Sequence, residues 1–149
     1  MEQQNKRKKN EEVLAEIYRN ANLAMDSIND ILPQVDRNEM KEELLSQHEG
    51  YAKIAAQASK IAKDRGIELK EPGMIKKAMM WSSIKMSSMM DGSTAHIAEM
   101  MVRGTVMGIT ALRSSQTEMP PETDKEVEAL LTEFIALEED YEKRLKEYL

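Results

Sequence analysis

The sequence predicts an all-α protein, a bundle of four long amphipathic helices. Three observations point there. Four segments of roughly 20–30 residues carry apolar side chains at steps of three and four, which fall on one face of a helix. Only 6 Gly and 4 Pro stand among 149 residues, too few for the tight turns of a sandwich or barrel. Cysteine is absent, which excludes disulfides, thiolate nucleophiles, iron–sulfur clusters and cysteine-ligated zinc. Hydrophobic residues at 41% and charged residues at 32% suit a chain that buries one core.

The first segment runs from Glu11 to Leu32, with Leu14, Ile17, Tyr18, Ala21, Met25, Ile28 and Leu32 as its stripe. Pro33 ends it, because proline pushes the preceding residue out of the helical region. The second starts near Asp36, a candidate N-cap with Glu39 three residues on. Its stripe is Met40, Leu44, Gln47, Tyr51, Ile54, Ala58 and Ile61, and Gly66 stands where a left-handed C-terminal cap is expected.

A polar connector leads to Pro72 and to a methionine-rich stretch, residues 73–90, whose apolar residues lie on two sides. Asp91, Gly92, Ser93 and Thr94 then break or cap a helix. If residues 73–116 were one helix it would reach about 66 Å, against about 35–45 Å for the others, so a break or sharp kink is expected near Gly92. The third long helix spans Thr94 to Arg113 and offers Ile97, Met100, Met101, Met107, Ile109 and Leu112. Pro120 and Pro121 separate it from the last, Glu122 to Tyr148, with Val127, Leu130, Leu131, Phe134, Leu137, Tyr141, Leu145 and Tyr148 inward.

Short loops after the first and third long helices make those pairs antiparallel neighbours. Between the second and third lie roughly 27 residues, enough to cross the bundle and return the chain to its opposite end. Pair, long and partly helical crossover, pair is the ferritin-like arrangement. The stretch EPGMIKKAMMWSSIKMSSMMDGSTAHIAEMM, continuing to GTVMGI, resembles a family of uncharacterised bacterial ferritin-like four-helix proteins. The likeness covers most of residues 11–149 and is densest over 71–109. It implies a fold and brings no reaction and no catalytic residue. The domain expectation is a single bundle over 11–149, preceded by a disordered basic tail over 1–10.

Ferritin-like di-iron oxidases need one Glu from each of two helices and a Glu-x-x-His from each of the other two. The two histidines here are His48 and His96; Leu45 and Ser93 stand three residues before them, so neither completes that motif. The nearest substitute is His96 with Glu99, joined by His48 and Glu49, a set that could hold iron or another divalent metal. Against it, His96, Glu99, Arg103 and Arg113 share one polar stripe, and solvated faces look like that. Glu16, Glu43, Glu133 and Glu138 are similarly available to a metal, but acids on helix surfaces are ordinary and they read as surface residues. The 13 Met residues could offer thioethers to Cu(I), yet in a chain with 4% aromatics they read first as adaptable core filler. No glycine-rich phosphate loop and no Gly-x-Ser-x-Gly elbow is present. The expectation is no catalytic residue and no cofactor.

Net charge is −6, with +3 on residues 1–10 and −6 on residues 122–149. An acidic chain is a poor ligand for nucleic acid. Residues 72–90 are the exception: Lys76, Lys77 and Lys85 with no acid, and the one Trp of the chain. That segment needs covering on two sides. It lies on its own bundle, in a subunit interface, or against a membrane surface or foreign protein. The expected interface residues are Met74, Trp81 and Ile84 with Lys77 and Lys85, in a homodimer whose partner presents its acidic last helix. No signal peptide and no integral membrane segment is visible, so the expected location is cytoplasmic.

Overall fold

Four α-helices and no strand make up the computed structural model over its described residues, 2–70 and 93–149, the side chains of 2–9 excepted. Helix α1 spans Glu2–Ile31 and passes into a short 3-10 turn, Leu32–Gln34, that holds Pro33. It therefore begins nine residues before Glu11 and takes in the basic segment assigned above to a disordered tail. Gln, Lys, Arg and Glu lose little rotamer freedom in a helix, and no Gly or Pro interrupts them.

Helix α2 spans Asn38–Asp64. Its cap is Arg37 rather than Asp36; no side chain caps it, and the Arg37 guanidinium instead reaches Glu39 at 2.9 Å. At the other end Gly66 has φ +66, the amide of Ile67 donates to Ala62 (2.8 Å) and that of Gly66 to Lys63 (3.2 Å). This is a Schellman stop, with Ile67 folded back onto the core.

Helix α3 spans Thr94–Glu118, and the Ser93 hydroxyl accepts the His96 amide as its N-cap. Helix α4 spans Lys125–Lys146, capped by Asp124, whose carboxylate accepts the Glu126 amide at 2.9 Å. Glu126 and Glu128 in its first turn and Lys143, Arg144 and Lys146 in its last complement the helix dipole.

Cross-links between helix ends fix the directions. Arg65, past the end of α2, binds Asp124 at the start of α4 (2.6 Å), and Tyr148 donates to the Glu39 carbonyl at the opposite end (3.3 Å). The amide of Asp124 reaches Asn10 of α1, and Ser115 of α3 bonds Glu16 of α1. Helices α1 and α4 thus point one way, and α2 and α3 the other. Packing is closest within the pairs α1/α2 and α3/α4, while α2 and α3 occupy opposite corners.

One core joins all four helices. Leu14, Ile17 and Ile28 meet Met40, Leu44, Ile97, Leu112, Leu131, Phe134 and Leu145, all fully buried. Two expected stripes shift. On α3 the buried line runs through Ile97, Ala98, Thr105, Leu112 and Ser115, and Met107 stands 73% exposed. The step from Met101 to Met107 is six, which no helical face accommodates, whereas Met101, Thr105, Gly108, Leu112 and Ser115 follow fours and threes. On α4 the buried residue is Glu138 rather than its neighbour Leu137, which sits at the core's edge.

Candidate functional site

The middle layer of the bundle is polar on one side, and two glycines make it so. In the middle of α2, a Cβ on Gly50 would fall 1.9 Å from the Tyr141 hydroxyl. In the middle of α3, a Cβ on Gly108 would fall 2.9 Å from Glu138 Oε1. Each glycine makes room for a side chain one turn from the other on α4. Glu138 is 3% exposed. Its Oε2 accepts the hydroxyl of Tyr51 from α2 at 3.1 Å. Tyr51 meets Phe134 and Tyr141 edge to face, with ring centroids 6.0 and 5.3 Å apart.

The electrostatics follow from burial. The carboxyl of Glu138 is pushed up to about 7 by desolvation, partly opposed by the bond from Tyr51. Tyr51 is raised well above its ordinary value, first by its own burial and then by the neighbouring Glu138. Tyr141 is raised by burial, with Arg144 working against it from 5.7 Å above the ring. Thr105 donates its hydroxyl to the Met101 carbonyl at 2.8 Å and also bears on the Tyr51 phenol, against the upward shift. Beside this layer Gln47, fully buried, donates to Glu43 at 3.0 Å, and its Oε1 meets no hydrogen-bond partner.

The residues singled out for metal lie apart from that layer. His96 is half-buried in the first turn of α3, its Nε2 without a hydrogen-bond partner. Glu99, one turn on, pairs with Arg103 at 2.5 Å. His48 is half-buried on α2, and Glu49 beside it is exposed and 3.8 Å from Lys53. Helices α2 and α3 stand at opposite corners, so the two pairs are not brought together. Among the described residues no group of three or more His, Asp or Glu gathers to hold a metal ion. Of the acids read as surface residues, Glu133 is exposed, Glu16 and Glu43 are half-buried, and Glu138 is interior. Met74, Lys77, Trp81, Ile84 and Lys85 lie outside the described residues, as do the methionines of 71–92.

A dinuclear metal centre in a ferritin-like bundle draws inward Glu and Glu-x-x-His ligands from all four helices. The described middle layer supplies one carboxylate, two phenols and an amide, and no histidine. The donor set does not fit such a centre. Sequence reasoning names Glu138 only as a surface acid and misses its burial, although a signal existed: Val127, Leu131, Phe134, Glu138, Tyr141 and Leu145 alternate fours and threes without a break. No protein-family profile, curated protein or solved structure matches this chain. Among the described residues no helix is long and apolar enough to cross a membrane.

Proposed function

We propose that this chain is a non-catalytic, ferritin-like helical bundle of the cytoplasm that works by self-association, as a dimer, or by holding another protein. The observation that carries this reading is the makeup of the middle layer. The position that would hold a reactive centre is filled by Tyr51, Phe134, Tyr141 and a lone carboxyl. The ferritin-like part of the reading is supported by helix direction. Because α2 and α3 run the same way from opposite corners, the chain between Asp64 and Thr94 has the length of the bundle to cover.

Self-association is supported by apolar side chains left at the surface, Val106 and Met107 on α3 and Leu45 on α2. Charge supports it too: Glu128 and Glu133 of α4 face solvent, and residues 72–90 supply Lys76, Lys77 and Lys85 without an acid. In this reading Met74, Trp81 and Ile84 anchor the interface, and Lys77 and Lys85 face the acidic helix of the second copy. Light scattering on the full chain tests it. A dimer mass is expected, with Trp81→Asp shifting it to monomer. Lys77→Glu with Lys85→Glu, which leaves the apolar residues intact, weakens association in a salt-dependent way. An unchanged mass in both variants with helicity retained overturns the interface. Stoichiometric iron or manganese in protein purified without chelator overturns the non-metal reading.

A further inference from the structure

We infer that Glu138 is a proton-operated latch: its neutral form lets α3 and α4 close on each other at Gly108, and its ionised form loosens that contact. The geometry is that of a carboxyl with nowhere to keep a charge. Its oxygens lie against the α3 backbone, where even a Cβ at Gly108 would sit only 2.9–3.5 Å from them. Among the described residues the hydrogen-bond donor it meets is the Tyr51 hydroxyl.

Among the described residues no cation pairs with it. On α3 the facing residues, Thr105 and Gly108, do not titrate; the Thr105 hydroxyl donates to Met101 on its own helix and also lies within hydrogen-bond reach of the Tyr51 phenol. On α2 the facing groups are Tyr51 and the uncharged Gln47. On α4 the neighbour is Tyr141; Arg144, one turn beyond Asp140, is held by Asp140 at 3.0 Å and stands 3.6 Å from Glu43. The buried face of α1 offers Val13, Leu14, Ile17, Ala21, Ile28 and Ile31, all apolar, with Ser27 bonded to its own backbone.

An ionised carboxylate there has to draw in water or move off α3. The midpoint of about 7 places the change within the physiological range. The sign is fixed by linkage. The folded value lies above that of the unfolded chain, so the interaction is whole below the unfolded value and is lost as pH rises through about 7. The inference stands apart from the proposed self-association, since every group it uses lies inside one chain.

Two readouts on the full chain test it. Carboxyl-carbon NMR, with the Glu138 signal assigned by its loss in Glu138→Gln, is expected to show a midpoint of about 7. The ratio of wild-type to Glu138→Gln unfolding constants is expected to rise about 70-fold from about pH 5 to about pH 8. Hydrogen exchange, corrected for intrinsic rates, is expected to show amides of 101–112 losing protection over that range in the wild type and keeping it in the variant. A carboxyl that titrates with the ordinary glutamates, or a variant whose exchange follows the wild type at every pH, overturns the latch. Should Glu138→Gln fail to fold, Tyr51→Phe serves. It removes the Tyr51 donor to the ionised form and is expected to move the midpoint up; a midpoint that stays or falls overturns the latch.

Discussion

Replacing Gly50 with alanine sets two known quantities against each other. In an ordinary helix interior the change is favourable by about 1 kcal/mol. Here the new Cβ would lie 1.9 Å from the Tyr141 hydroxyl, 3.1 Å from its Cζ and 3.5 Å from Leu137 Cδ1. Only the last is a normal contact, so the phenol has to retreat by roughly 1.5 Å to reach van der Waals distance. Tyr141 is 4% exposed, with the Tyr51 ring on one side and the Arg144 guanidinium over its face. Overpacking in such a setting costs roughly 1–3 kcal/mol. With the propensity gain subtracted, Gly50→Ala is expected to destabilise by about 1 kcal/mol, and by no more than about 2.

The assay is urea unfolding followed by far-ultraviolet circular dichroism, run as a double-mutant cycle with Tyr141→Phe. Removing the hydroxyl takes away the 1.9 Å contact and leaves the 3.1 Å one. The double variant is therefore expected to match or exceed Tyr141→Phe alone, because the helix gain then survives. A Gly50→Ala protein stabilised by the full helix gain of about 1 kcal/mol with Tyr141 in place, or a cycle with no coupling, refutes the close approach of α4 to α2.

Two further outcomes follow from the same packing. Phe134→Ala empties a fully buried site against the Tyr51 ring and is expected to cost about 3–5 kcal/mol in urea unfolding; a loss below about 1 kcal/mol contradicts a single shared core. Asp124→Ala removes the N-cap of α4 and the 2.6 Å contact with Arg65, for an expected loss of about 1–2 kcal/mol. Asp124→Ser keeps the cap and is expected to recover most of that loss, with a small salt-dependent remainder; a loss fully screened by salt in both variants contradicts the cap.

Helix punctuation was legible in the sequence because it is local chemistry. Pro33, Gly66, Ser93 next to Thr94, and the Pro120–Pro121 pair each act on their own backbone, and the helices start or stop within a few residues of them. The inward face of α4 was harder, since Leu137 and Glu138 differ by one residue, about 100° around the helix. Hydrophobicity favours Leu137, but Phe134 and Tyr141 point the same way as Glu138 and fix the rotation. Gly50 gave no readable sign, and Gly108 only a weak one, its four-residue spacing from Gly104 suiting close helix packing. Gly50 and Gly108 matter through side chains of another helix some 30 to 90 residues away, a pairing visible only once α4 is in place. Helix α1 starts ahead of its apolar stripe because the Gln, Lys, Arg and Glu of residues 2–10 are good helix formers, a local preference that the stripe does not show.

Helices α1 with α2, and α3 with α4, are each joined by a tight turn, and the two pairs then meet edge to edge. That layout makes the contacts within each pair local in sequence and those between the pairs long-range. Closing the loop between the pairs costs entropy that grows slowly with its length, about 0.6 kcal/mol for each doubling. An added residue inside either tight turn acts differently, because it would change how the two helices it joins meet.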